Sequence, residues 1–126
     1  MKNTNNDIHP SNLKIDFSGN QEEDQLEILK LKQENVHVFK LSSMSSSEGY
    51  TTSDFVDLVF KGPMKMVVKG DHMIIYFLNP NSSIFLVSIM DENFEKFMLE
   101  VKDSVRYFAI KAINETGFPS WYGIGN

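Results

Sequence analysis

The 126-residue sequence has no cysteine, which removes disulfides and thiolate metal sites from consideration. Arginine is almost missing as well: eleven lysines accompany a single arginine, Arg106, within a formal net charge of −5. Nucleic-acid binding needs clustered Lys and Arg to neutralise phosphates, so no nucleic-acid partner is expected. No apolar run approaches the ~20 residues that span a bilayer, the longest being the mixed stretch from Met73 to Leu78. The opening MKNTNNDIHP lacks the apolar core of a signal peptide, which points to a cytoplasmic protein. Recognisable catalytic patterns are also lacking. His9, His37 and His72 lie far apart, no His/Glu pair has metal-ligand spacing, and no glycine-rich loop follows a strand and opens a helix. Asp91 and Glu92 are adjacent, so in extended chain they point apart and suit a solvated turn better than an acid/base pair. No metal, cofactor or enzymatic activity is expected.

What is present is apolar and aromatic: 41% hydrophobic and 12% aromatic residues, enough for one core and too little for two. Residues 1 to 25 are rich in Asn, Asp, Gln and Glu with irregular apolar positions, the composition of a disordered leader. From residue 26 the texture becomes strand-like. LEILKLKQ and VHVFKL are expected to form two strands joined by a hairpin across Glu34 and Asn35, followed by a serine-rich loop from Ser42 to Gly49. Short apolar segments then recur: MKMVVKG, HMIIYFL, SIFLVSI, FMLEVKD, VRYFAIKAI and WYGI. Turn residues separate them, with Gly70-Asp71, Asn79-Pro80-Asn81, and Asn114 with Gly117 and Pro119 the clearest. This spacing is that of a small β-sandwich or barrel. Only DENFEKFMLEV offers a helical period, and a bend into a strand fits it equally well. Alternation places Met64, Met66 and Val68 on one face and Lys65, Val67 and Lys69 on the other, the lysine face being expected to meet water.

The sequence also carries the marks of a family. EGYTTSDF supplies Gly49, Tyr50, Ser53, Asp54 and Phe55; the next region supplies Gly62, Lys65, Lys69 and Gly70. DSVRYFAIK supplies Asp103, Ser104, Arg106, Tyr107, Phe108, Ile110 and Lys111, and an aromatic pair precedes Gly123, Ile124 and Gly125. In these motifs and their ungapped spacing the chain from residue ~28 to 126 resembles the PHear domain of the NECAP family, the adaptin-ear-binding coat-associated proteins of clathrin vesicles. The family's pattern is N-R-G-Y-R-A-[SA]-D-W, then G-R-L-[RK], then D-S-S-R-Y-F-V-I-R, then F-I-G-I-G-F.

The resemblance implies a mainly β, pleckstrin-homology-like fold of two orthogonal antiparallel sheets over residues 26 to 126. It implies a non-enzymatic accessory module of clathrin-mediated endocytosis, located in the cytoplasm at coated vesicles and the plasma-membrane periphery. Its partners would be short Phe- and Asp-containing peptides of other coat proteins and the plasma-membrane clathrin adaptor complex, with the membrane reached only through the coat. The family continues beyond this point into a long amphipathic helix that caps the sandwich. Here Asn126 stands in place of the motif's last Phe, so the sequence is expected to be a C-terminally truncated fragment, marginally stable and adhesive. One of Trp121 and Tyr122 is then expected to be exposed. The segment Gln25 to Gln33 suits a strand at least as well as a substitute helix.

Candidate contacts for a peptide or the adaptor are Asp103, Ser104, Arg106, Tyr50 and Asp54. Arg106 leads, because a guanidinium offers paired donors to a carboxylate or phosphate. Against this stands a purely structural role, in which Arg106 pairs with Asp103 or a neighbouring strand and Tyr50 and Phe55 fill the core. Val105 replaces the family's second Ser, and Glu48 and Thr51 replace its early arginines, each removing a potential anion contact. An alternative of another class is direct phosphoinositide binding through Lys61, Lys65 and Lys69, diluted by Asp57 and Asp71. A third is an inert β-domain sharing only the fold.

Overall fold

The computed structural model describes residues 15–18, 27–42 and 49–125. Seven antiparallel strands follow one another: β1 (Glu27–Leu41), β2 (Phe55–Lys69), β3 (His72–Leu78), β4 (Ile84–Met90), β5 (Met98–Val101), β6 (Ser104–Ile113) and β7 (Pro119–Gly125). They are ordered β4-β3-β2-β1-β7-β6-β5, and a pairing of Val87 with Ile113 joins β4 back to β6. The expected mainly β barrel or sandwich is therefore what forms, as a ring. Ser88, fully buried, strengthens the short closure by donating its hydroxyl to the Lys111 carbonyl at 2.7 Å.

β1 and β2 are each 15 residues long and pair along almost their whole length. The expected hairpin across Glu34 and Asn35 does not exist. Gln33 pairs with Met64 and Val36 with Gly62, so Glu34 and Asn35 together oppose Pro63. Proline has no N–H to offer a ladder, and the two-against-one count is that of a β-bulge, which bends the strand without reversing it. β2 also begins well before Met64, at Phe55, where FVDLVF has the apolar density of a strand. By contrast, DENFEKFMLEV does bend, through a 3-10 turn at Phe94–Lys96, into β5. Gly70 at φ 61° and Gly117 at φ 82° occupy the left-handed conformations their turns require.

The ring encloses Val36, Val38, Phe60, Ile75, Phe77, Leu86, Met90, Ile110 and Ile124. Phe60 stacks on Phe85 at 4.9 Å between centroids and meets Phe77 edge-on. A second cluster, of Val67, Ile74, Tyr76, Ile84, Val87 and Ile89, lies apart from it. The lysine face of β2 thus does not open freely onto water. Val67 is buried in that second cluster, and Lys65 lies 5.3 Å from the centroid of the Tyr76 ring.

Ile15 and Phe17 pack against this cluster, and the Phe17 carbonyl accepts a hydrogen bond from Ile84 N–H at 2.8 Å. At these positions the expectation of a disordered leader is corrected, because apolar burial and a strand-end hydrogen bond hold the chain in place. The rest of residues 1 to 25 lies outside the described residues. Trp121 and Tyr122 are both half-buried, so neither is the exposed aromatic expected.

Candidate functional site

Two distant stretches of the sequence meet at one end of the ring. The chain reverses between β5 and β6 through Lys102 and Asp103. Beside this turn runs the segment that leads from β1 into β2. Lys102 N–H donates to the Tyr50 carbonyl at 3.0 Å, and both Asp103 oxygens are occupied by Thr52, one by its N–H at 2.9 Å and one by its hydroxyl at 2.8 Å. These hydrogen bonds favour the charged carboxylate and hold the Asp103 pKa below its ordinary value. Asp103 is accordingly a clasp between the two segments.

Asp54 is also committed, being only 2% exposed. Its carboxylate accepts the Thr51 N–H at 2.9 Å and faces the Ser42 hydroxyl at 3.4 Å, tightening the 3-10 turn at Thr52–Asp54. Tyr50 is 7% exposed, with its ring 6.4 Å from that of Trp121. Burial, and secondarily the negative charge of Asp54, push its hydroxyl pKa up. A peptide arriving from solvent has little access to either side chain. Of the sequence candidates for direct contact, Tyr50 and Asp54 are thus the two that the fold buries.

The Gly-Ile-Gly stretch of β7 belongs to the same framework. Ile124 points into the core, while Gly123 and Gly125 lie beneath aromatic rings. A Cβ on Gly123 would come within 2.5 Å of the Phe55 ring, and one on Gly125 would overlap the Tyr107 ring. Phe55 and Tyr107 meet edge to face at 5.5 Å, and Phe55 also contacts Phe39 at 5.5 Å. The glycines are required because rings occupy the space that side chains would need.

What remains accessible is the start of β6. Ser104 accepts the Arg106 N–H on its hydroxyl oxygen at 3.1 Å, fixing the backbone after the turn. Val105 is fully exposed, at 103% of its reference area, and Arg106 is exposed beside it. Arg106 makes no ion pair among the described residues; the only one present there, Lys32–Glu34 at 3.9 Å, is elsewhere. Of the structural alternatives, a pairing of Arg106 with Asp103 is not among the ion pairs of the described residues, and Asp103 is held by Thr52. An apolar side chain and a guanidinium thus project together from a braced turn.

A second polar hollow was not foreseen. It lies at the β1 bulge and is lined by Lys32, Gln33, Glu34, Asn35, His37 and Lys61, with the buried Nδ1 of His37 lacking a hydrogen-bond partner among the described residues. The signal was Pro63, whose position against Glu34 and Asn35 would have revealed the bulge. Lys61, Lys65 and Lys69 do not form a basic cluster. Eight residues of strand separate the first from the last, about 26 Å, and Glu27 pairs across from Lys69 while accepting the Tyr76 hydroxyl at 3.2 Å. Burial, together with this carboxylate, raises the Tyr76 pKa.

No group of His, Asp or Glu among the described residues could hold a metal ion, and no helix among them is long and apolar enough to cross a membrane. Fold and surface define a mainly β ring domain with a braced, cation-bearing hairpin tip. The chain belongs to the family described as "Protein of unknown function (DUF1681)", which matches residues 26–126. No curated protein matches it.

Proposed function

We propose that this domain is a non-enzymatic adaptor module of clathrin-mediated endocytosis, of the NECAP PHear type, that captures short Phe- and Asp-containing peptides and the plasma-membrane clathrin adaptor complex. Support comes from the motifs shared with that family, from the mainly β ring and from the family match, whose residues 26–126 cover the same stretch as the resemblance. The observation that carries the binding chemistry is the state of Arg106: exposed, unpaired among the described residues, and set beside a fully exposed Val105. A guanidinium with no internal carboxylate to satisfy can take one from a ligand, and an adjacent apolar side chain can cover part of an aromatic ring.

The test is titration of a fluorescent Phe/Asp peptide into the 126-residue protein and its Arg106→Ala variant. Affinity should fall about tenfold, the loss of one charge-assisted contact. The melting temperature should stay unchanged, because the side chain is exposed and makes no ion pair among the described residues. Unchanged affinity together with a lowered melting temperature would assign Arg106 to the framework. The phosphoinositide alternative has weaker footing, since its three lysines are strung along a strand rather than gathered round a headgroup. Sedimentation with phosphoinositide liposomes separates the readings: a peptide adaptor stays in the supernatant.

A further inference from the structure

The β2–β3 reversal and the connection from β4 to β5 enclose an open-mouthed cavity of about 280 Å³, whose lining does not include Arg106. Its apolar wall consists of Val68, Met73, Met90 and Phe94. Met90 belongs to the interior core, whereas Phe94 is 52% exposed, so the cavity runs from core to surface. A large side chain left half in water beside an apolar hollow is available to a partner.

The polar groups around the cavity share one character. Asp71, Asp91 and Glu92 contribute three carboxylates, and no Lys or Arg lines it. Asp91 Oδ1 accepts the Asn93 N–H at 2.8 Å, which fixes the loop, and Asp91 forms no ion pair among the described residues. His72 also lines the cavity. It is 5% exposed, and its Nε2 is buried with no hydrogen-bond partner among the described residues. A buried imidazole nitrogen without a partner is a cost that a ligand N–H or hydroxyl could remove. These groups do not converge as a metal site among the described residues.

The cavity's size limits the occupant. Small-molecule sites commonly measure about 300–1,000 Å³, so this one accommodates a single large side chain better than a nucleotide or lipid headgroup. We infer that it is a second recognition pocket, which takes one apolar or aromatic side chain of a partner peptide flanked by lysine or arginine. Its charge preference opposes that of the Arg106 surface. Carboxylates around the mouth repel an aspartate-bearing peptide and attract a basic one. The inference does not rest on the adaptor reading.

The experiment titrates three blocked tripeptides, Lys-Phe-Lys, Lys-Ala-Lys and Asp-Phe-Asp, into the isotope-labelled 126-residue protein and follows its backbone amides by NMR. Saturable shifts at His72, Met73, Glu92 and Phe94 are expected with Lys-Phe-Lys alone. The double variant Asp91→Lys/Glu92→Lys should weaken that binding by about tenfold or more, the usual sensitivity to reversing nearby charge. Phe94→Ser, at a half-exposed position, should do the same without altering the fold's spectrum, and Arg106→Ala should leave the shifts intact. Equal response to Asp-Phe-Asp or Lys-Ala-Lys, shifts centred on Arg106, or no saturable shift would each overturn the proposal.

Discussion

The two halves of the ring cover their sheets by opposite means. In β2, β3 and β4 large side chains occupy both faces: Phe77, Ile75 and Leu86 on the core side, Ile74, Tyr76, Val87 and Ile89 in the second cluster, with Ile15 and Phe17 laid over the latter. In β7 the strand gives up its side chains instead. Gly123 and Gly125 leave room for Phe55 and Tyr107, one brought by the segment entering β2 and the other by β6. The first arrangement draws stability from area removed from water, the second from close approach of rings to backbone. One tolerates loss of a methyl group by collapsing somewhat; the other has no slack for gain of one.

That contrast can be broken from either side. The largest effect is expected for Ile74→Ala, which empties a position only 1% exposed; about 3 kcal/mol of stability should go. Were the second cluster an incidental surface contact, denaturant titration would show well under 1 kcal/mol. On the other half, Gly125→Ala adds a single methyl where the Tyr107 ring already sits, and should cost about 2 kcal/mol as overpacking. Stability unchanged in that variant would mean the ring swings away freely, and the two halves would then be alike. A smaller loss, about 1 kcal/mol for a half-buried ring, is expected for Phe17→Ala, because Phe17 covers the cluster from outside. Amide exchange should locate the effect at Ile84, whose N–H is bonded to the Phe17 carbonyl.

The difference between the halves also explains what could be read from sequence. HMIIYFL and SIFLVSI are unbroken apolar runs, the form taken by strands buried on both faces, so their existence and extent were plain. The same runs imply a second covered face, and the lysines at 65 and 69 masked that implication. Gly123 and Gly125 carry no such signal. A glycine in a strand says that something approaches closely without saying what, and Phe55 and Tyr107 are remote from it in sequence. The bulge at Glu34 and Asn35 was hidden similarly, since its cause is Pro63 on another strand. At the candidate site, the motifs name stretches that the fold brings together, with Thr52 beside Asp103 and Tyr50 beside Lys102, but not what each residue does. Asp54 and Arg106 look equally functional as letters; only burial shows that one is sealed into a turn and the other is exposed.

The subtlest test concerns the clasp on which the second half depends. Asp103 holds Thr52 through two hydrogen bonds, and its pKa is lowered because those bonds favour the carboxylate, the side-chain bond foremost. A group with a depressed folded-state pKa binds protons more readily when unfolded. Its contribution is therefore complete above the unfolded value of about 3.9 and disappears as pH falls through the lower folded value. Asp103→Asn should make the melting temperature fall less steeply with pH in that acid range than it does in the parent protein. Near neutral pH the variant should be modestly less stable, because an amide is a weaker acceptor than a carboxylate. The parent's acid limb should lose steepness by the share that Asp103 supplies, while Asp16, held below its ordinary pKa by Ser18, continues to titrate. An acid limb identical in the two proteins would show that the clasp does not hold the segment entering β2, and that Phe55 stays over Gly123 by packing alone.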